Sequence, residues 1–371
     1  MGIFPKRNTT FIFSIILSLF YLNIVKICEA ENQELPASFV FGDSLVDVGN
    51  NNFIVSLSKA NYPPNGIDFG LPTGRYTNGR TIADIIGQEL GLKAFSPPYL
   101  APTTKGQAIM QGVNYASGGG GILNQTGQIF IGRLNFDAQL DNFANTKADL
   151  IRNIGEKAAN EFLEKALYSV TMGSNDFINN YLTPVVSRVE QTLVSPQAFV
   201  DAMISKYRVQ LMRLRNMGAK KILVVNVGPI GCIPYLRDIN PTAGTNCVAF
   251  PNQLAQLFNF RLKSLVSELS TNLPDSRFVY ADVYRVVDDI LTNYSSYGFE
   301  NANSACCSVS GRYGGLIPCG PSSKVCSNRS KYVFWDPYHP SDAANVLIAK
   351  RLIDGDSDVI SPTNVRQLLN S

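Results

Sequence analysis

Histidine is almost absent from this sequence, which has only one, His339, in 371 residues. A side chain that exchanges protons near neutral pH is usually a histidine, because its ordinary pKa of about 6.5 lies in that range. Any chemistry of this chain that needs an imidazole therefore depends on His339. An acidic residue, Asp336, precedes it by three positions in the segment Phe-Trp-Asp-Pro-Tyr-His-Pro.

Runs of basic residues are missing too, as is the interleaving of basic and aromatic residues found in nucleic-acid-binding surfaces. The 32 lysines and arginines are scattered and nearly balanced by 29 acidic residues, so we predict no nucleic-acid partner. Long apolar runs are also lacking. The segment from Phe11 to Val25 is shorter than the roughly 20 residues of a membrane-spanning helix, and no later segment has that character.

The first thirty residues have the pattern of a secretory signal peptide. Lys6 and Arg7 precede the apolar run, and small residues stand at positions −3 and −1 in Cys28-Glu29-Ala30. We predict cleavage after Ala30; a membrane anchor is the alternative. Cleavage lowers the formal charge from +3 to +1, and the remaining residues, 31–371, show no repeat or linker and are predicted to form a single domain.

Six cysteines follow the predicted cleavage site, and an even number in a secreted chain indicates disulfides. A zinc site is the alternative, but the sequence has no Cys-x-x-Cys spacing and no histidine nearby. We favour pairing of Cys232 with Cys247 and expect no bond between the adjacent Cys306 and Cys307. The partners within the remaining group stay open: Cys306, Cys307, Cys319 and Cys326.

Three N-glycosylation sequons agree with a secretory route, although each is a weak signal alone. Their asparagines are Asn124, Asn293 and Asn328.

Short apolar runs alternate with helical patterns along the chain, which is typical of an α/β fold with a parallel sheet covered on both faces. The predicted strands are Ala37–Phe41, Gly112–Ala116, Ala166–Met172, Lys221–Val227 and Arg277–Ala281. The predicted helices are Thr81–Leu90, Glu156–Lys165, Pro196–Met217 and Phe250–Leu273.

Polar or glycine-rich groups follow three of these strands, at the sheet edge where α/β proteins bind ligands. They are Ser44, the run Gly118–Gly121, and Asn175. Each has an ordinary alternative: a helix-capping serine, a flexible turn or phosphate loop, and a capping asparagine. Together they suggest an acyl-transfer site in which glycine N–H groups and an amide bind an oxyanion.

Ser44 is the candidate nucleophile. We expect Gly42 to permit a tight turn and a helix to begin at Asp43 or Ser44, so that the serine N–H faces the reacting carbonyl and the helix dipole stabilises negative charge.

Asp336 and His339 are the candidate partners of that serine. Residues at i and i+3 of one turn lie side by side, so the carboxylate can hold Nδ1 while Nε2 faces outward. Pro337 and Pro340 stiffen the segment, and a helical pattern resumes at Ser341. A purely structural histidine is the alternative.

These segments resemble the plant secreted branch of the GDSL esterase/lipase family, in the SGNH hydrolase superfamily. The similarity extends from about Ala37 to Leu352 and covers four ordered motifs: Phe41-Gly-Asp-Ser-Leu45, Val113–Ile122, Gly173-Ser-Asn-Asp176 and Asp336-Pro-Tyr-His339-Pro. The resemblance implies a Ser44-Asp336-His339 triad and an oxyanion hole from Ser44, Gly119 and Asn175, with Gly118 as an alternative to Gly119.

The resemblance further implies a flavodoxin-like, three-layer α/β/α fold with a mainly parallel five-stranded sheet. It implies hydrolysis of small-molecule or lipid esters without metal or cofactor, in the apoplast or cell wall. Two alternatives stay open: an acyltransferase that uses the same acyl-enzyme, and a non-catalytic binding protein. The acyl chain, the alcohol and the oligomeric state are not predicted.

Overall fold

Five strands form the central sheet within the residues that the computed structural model describes, 35–183 and 193–370. In chain order the strands are β1 Ser38–Gly42, β2 Leu167–Thr171, β3 Lys221–Val225, β4 Arg277–Ala281, β5 Asn301–Ala305, β6 Cys307–Ser308, β7 Lys324–Val325, β8 Tyr332–Phe334 and β9 Ile360–Ser361. The sheet has the order β1-β2-β3-β4-β9, in which β1 to β4 are parallel and β9 is antiparallel to β4. The predicted signal peptide, residues 1–30, lies outside the described residues.

Helices cover the sheet on both sides, since β1 and β2 are buried at every position. The helices are α1 Ile82–Glu89, α2 Phe136–Ile154, α3 Glu156–Lys165, α4 Pro196–Asn216, α5 Pro234–Ile239, α6 Ala249–Asn272, α7 Val283–Thr292, α8 Asp342–Asp354 and α9 Val365–Leu369. The predicted α/β class with a mainly parallel five-stranded sheet is confirmed. No helix in the described ranges is both long and apolar enough to span a membrane.

One predicted strand, Gly112–Ala116, is wrong. The segment runs beside β1 but makes only isolated bridges, because its hydrogen bonds are divided between two neighbours. Tyr115 N–H donates to Val40 O, whereas Asn114 N–H donates to Pro97 O. The fifth strand of the sheet is instead β9, which the sequence patterns missed because it has only two residues.

Three disulfides join the six predicted cysteines. The expected Cys232–Cys247 bond is present, and the others are Cys306–Cys326 and Cys307–Cys319. Adjacent cysteines therefore bond to different partners, and these sulfurs are not available as zinc ligands.

The disulfide-rich segment supports the C-terminal motif. Cys306, Cys307 and Cys319 form a buried cluster with Trp335. Cys307 N–H donates to Trp335 O, and the Trp335 indole donates to Asn65 Oδ1 at 2.9 Å. The residue immediately before Asp336 is thus fixed on both its main chain and its side chain.

We expect reduction of the disulfides to lower the melting temperature. The bonds close loops of 12, 15 and 20 residues, and loops of this size each contribute about 3 kcal/mol in the chain-entropy view. Thermal unfolding with and without dithiothreitol measures the effect, with thiol titration as the control that the bonds have opened. Unchanged melting of the reduced chain would contradict this prediction.

Candidate active site

Ser44 lies in a single turn directly after β1. Val46 and Asp47 N–H both donate to Asp43 O, but no α-helix continues from this turn, and the next helical segment is the 3-10 turn Asn50–Phe53. The predicted helix start at Asp43 or Ser44 is therefore wrong. The turn stops because the Asp47 carboxylate accepts from Gly49 and Asn50 N–H, which directs the backbone away from a helical path.

Gly42 is needed here for space. A Cβ at this position would lie 2.4 Å from Val46 Cγ2 and 2.9 Å from Thr171 O. Both distances are too short for non-bonded atoms, so the turn can fold tightly against β2 only with glycine before it.

A continuous hydrogen-bond chain joins the two ends of the described sequence. His339 Nε2 lies 2.8 Å from Ser44 Oγ, and His339 Nδ1 lies 2.8 Å from both Asp336 carboxylate oxygens. Asp336 Oδ1 also accepts from the N–H groups of Tyr338 and His339. The histidine and aspartate are buried, with 7% and 6% of their surfaces exposed, so the pair is shielded from water while the serine faces a cavity.

Gly119 borders the same cavity as Ser44. Its φ of 83° lies in the left-handed region that favours glycine, and a Cβ there would lie 2.5 Å from the Phe130 ring. Gly118 N–H is already donated to Asp47 Oδ2 at 3.0 Å. Across the described ranges no protein acceptor is found for the N–H groups of Gly119 and Ser44, which favours Gly119 over Gly118 as an oxyanion donor.

Asn175 is the third candidate oxyanion donor. It lies on a short helical turn, Ser174–Asp176, and also borders the cavity. Its Nδ2 donates to Gly120 O at 2.9 Å, and its Oδ1 accepts from Asn179 Nδ2 at 2.5 Å. Asn179 sits at a kink in the π-helical segment Phe177–Tyr181. These two bonds fix which end of the Asn175 amide is the donor, and one Nδ2 hydrogen remains for a ligand.

Asp176 is a supporting residue whose role the sequence patterns did not single out. Its carboxylate accepts from Ile122 N–H, Leu123 N–H and Thr126 Oγ1 at 2.7–2.9 Å. It therefore ties the glycine-rich loop to the segment that carries Asn175. The sequence feature that could have pointed to Asp176 is its position directly after Asn175 in the motif Gly-Ser-Asn-Asp.

Tyr76 is a second such residue, and it packs against the histidine. Its ring centroid lies 5.2 Å from that of His339, and its hydroxyl lies 2.9 Å from Ser58 Oγ.

Three carboxyl groups around the site are fully buried, and burial raises the pKa of each because the charged form loses its hydration. The pKa of Asp43 rises to about 7, and those of Asp47 and Asp176 rise to about 6. Hydrogen bonds from backbone N–H groups oppose the shift in all three.

The cavity at Ser44 has a volume of about 230 Å³. Most of its lining is apolar and comes from several elements, including Leu57, Phe130, Ile178, Ile230, Val287 and Ile348. Among the described residues, no three histidine, cysteine or acidic side chains lie close enough together to hold a metal ion. The arrangement places a serine, an imidazole and free N–H donors at the mouth of an apolar pocket.

The sequence pattern of the GDSL-like lipase/acylhydrolase family matches residues 39–352. The chain belongs to this family. It is similar to GDSL esterase/lipase At4g16230 of Arabidopsis thaliana, with 61% identity over 96% of each chain. GDSL esterase/lipase At3g50400 of the same plant is 50% identical over 98% of this chain and 99% of its own. GDSL esterase/lipase 7 is 41% identical over 96% and 99%.

Family membership confirms the resemblance inferred from the motifs and makes this chain a carboxylic ester hydrolase. The alternative of a non-catalytic binding protein is thereby not favoured.

We predict that Asp43→Asn flattens the pH dependence of stability in this GDSL hydrolase. The folded chain binds the Asp43 proton more tightly than the unfolded chain, because the pKa rises from 3.8 to about 7. The contribution of Asp43 to the free energy of unfolding is therefore fully present below pH 3.8 and is lost as the pH rises through about 7. The loss should be on the order of a few kcal/mol.

Urea unfolding across this pH range measures the difference, with the exposed Glu161→Gln as the matched control. Equal pH slopes for the wild type and Asp43→Asn would contradict the prediction.

Proposed function

We propose that this hydrolase cleaves carboxylic esters of small-molecule or lipid type through an acyl-enzyme on Ser44. The hydrogen-bond chain from Asp336 through His339 to Ser44 is the observation that carries the proposal. A serine hydroxyl is a weak nucleophile unless an adjacent base takes its proton. His339 Nε2 is at hydrogen-bond distance for that transfer.

In the first half of the proposed cycle, Ser44 Oγ attacks the ester carbonyl and His339 takes the serine proton. Asp336 holds Nδ1, which keeps Nε2 directed at the serine and stabilises the imidazolium. His339 then donates its proton to the leaving alcohol. The acyl group remains on Ser44 as an ester.

Negative charge on the carbonyl oxygen is stabilised by the N–H groups of Ser44 and Gly119 and by Asn175 Nδ2. Donors that are already positioned need little rearrangement during the reaction, which makes such groups effective. The buried bonds that fix Gly118 and the Asn175 amide support this role.

In the second half, His339 activates a water that attacks the acyl-enzyme and releases the acid. An alcohol could take the place of that water, so an acyltransferase reaction uses the same residues. Product analysis with a large excess of added alcohol separates the two outcomes: acid alone supports hydrolysis, and a new ester supports transfer.

We further propose that the chain is secreted as one domain, residues 31–371, after cleavage at Ala30. Three disulfides support an oxidising compartment. The sequon asparagines Asn124, Asn293 and Asn328 are all exposed, which supports glycosylation. Intact mass of the protein exported from a plant cell, before and after glycosidase treatment, tests both points.

Ser44→Ala and His339→Ala should each lower kcat by at least ~10³-fold, because the triad acts as a unit. Asp336→Asn should lower kcat by ~10²-fold or more, because the imidazole loses its orientation. Hydrolysis of a soluble ester measures the effect, with the exposed Ser264→Ala on α6 as the control. A fluorophosphonate probe should label the wild type but not Ser44→Ala. Near wild-type turnover by a folded His339→Ala variant would refute the mechanism.

Asn179→Asp should lower kcat by ~10-fold or more with little change in KM. A carboxylate cannot donate to Asn175 Oδ1, so the amide can rotate and remove an oxyanion donor, a loss that costs up to ~10²–10³-fold. In an Asn175→Ala background the same substitution should add little, because the group it orients is gone. Full additivity of the two losses would contradict this role for Asn179.

A further inference from the structure

Two loops beside the cavity expose large apolar side chains to solvent. Val55, Leu57 and Ile131 are 82%, 71% and 64% exposed, and two neighbours are about half exposed. We call these five residues the apolar rim: Phe53, Val55, Leu57, Ile129 and Ile131. Adjacent exposed apolar side chains are uncommon on a soluble surface and usually mark an interaction site.

The two loops form one surface because they are packed together. Leu57 N–H donates to Phe130 O at 3.0 Å. A Cβ on Gly132 would lie 2.0 Å from Val55 O, so the two backbones touch. The apolar side chains of the two loops are therefore presented side by side.

The rim is continuous with the catalytic cavity. Leu57 belongs to both, and Phe130, whose neighbours Ile129 and Ile131 belong to the rim, also lines the cavity. The Phe130 ring packs close to Gly119, since a Cβ at that glycine would lie 2.5 Å from the ring. An apolar path thus leads from solvent over the rim to the oxyanion loop.

The backbone holds one rim residue outward at an energetic cost. Ile131 has a φ of 68°, the one positive φ among the non-glycine residues that the structure describes. A β-branched residue in this region is strained, and such strain concentrates at functional positions.

The charges of the rim suit a lipid surface. Segments 53–62 and 125–134 contain no acidic residue, and their charged residues are Lys59 and Arg133. Lys59 Nζ donates to the carbonyls of Asn51, Asn52 and Ile54, and Arg133 donates to the carbonyls of Asn124 and Thr126. Neither cation is paired with a carboxylate in these contacts, so the two segments carry a positive charge that suits anionic phosphate headgroups.

We propose that the apolar rim docks the protein on a lipid surface and that esters enter the cavity from that surface. Apolar side chains inserted beside the headgroups supply the attraction, with the two cations favouring anionic lipid. The delivery of esters to the cavity rests on the proposed ester hydrolysis at Ser44. Binding of the rim to a lipid surface does not require that reaction.

The test compares a rim variant with a matched control. The rim variant is Val55→Ser, Ile129→Ser and Ile131→Asn combined, which leaves the cavity-lining Leu57 and Phe130 unchanged. The control combines Val209→Ser and Phe260→Ser, because these side chains on α4 and α6 are equally exposed, at 63% and 74%, and lie outside the rim. Thermal melting of both variants checks folding.

Binding is measured by cosedimentation with vesicles of phosphatidylcholine mixed with phosphatidylglycerol. We expect the wild type, Ser44→Ala and the control to sediment with the vesicles and the rim variant to bind at least ~10-fold more weakly. Hydrolysis of emulsified tributyrin should fall by a similar factor in the rim variant. Hydrolysis of dissolved 4-nitrophenyl acetate should stay within ~2-fold of wild type, since that ester needs no surface.

Three results would overturn the proposal: no sedimentation of the wild type, equal loss in the control, or a rim variant that binds vesicles like the wild type. Sedimentation equilibrium tests the alternative that the rim binds a second copy of this chain. A wild-type dimer that becomes monomeric only in the rim variant, with unchanged vesicle binding, would assign the rim to self-association. Failure of the proposed ester hydrolysis is distinguishable, because Ser44→Ala reports docking without turnover.

Discussion

The active site depends on bringing together two segments 295 residues apart, so that His339 Nε2 meets Ser44 Oγ. The contact is held by the loop before α1, which bonds to the segment around His339. Thr77 Oγ1 donates to Pro340 O, and Arg80 forms an ion pair with Asp342. On the other side, Trp335 is fixed by the disulfide cluster. The proposed triad is thus positioned by neighbouring polar bonds as well as by the sheet.

Buried carboxylates position the glycine-rich loop, which is the proposed oxyanion loop, in a similar way. Asp47 accepts from the Gly118 N–H, and Asp176 accepts from the N–H groups of Ile122 and Leu123, directly after Gly121. Burial makes their ionised forms costly, as the raised pKa values show. A neutral acceptor would avoid that cost, but charged acceptors form stronger hydrogen bonds. Burying these ionised carboxylates therefore costs some folding stability, but it fixes the loop in a shape that leaves the Gly119 N–H available to a ligand.

Features set by nearby residues could be predicted from the sequence, and those set by distant partners could not. The pairing of Asp336 with His339 follows from three-residue spacing, and α4 and α6 follow from their periodicity. The end of the turn at Ser44 depends on the Asp47 carboxylate. The orientation of Asn175 depends on a π-helical kink that no pattern indicates. Gly112–Ala116 has the composition of a strand, but residues 97–99 take some of the backbone hydrogen bonds that it would otherwise make with β1.

Two parts of the cavity lining are built differently. One wall includes Pro318 and Cys319, the latter held by its disulfide to Cys307. Another part of the lining comes from the loop pair of the apolar rim, which is joined by backbone contacts and carries a strained Ile131. Cys319 packs against Trp335, directly before Asp336, so a covalent bond restrains the wall next to the proposed triad. The rim loops are held to each other by backbone contacts, and their apolar side chains are exposed to solvent, as the proposed docking on lipid requires.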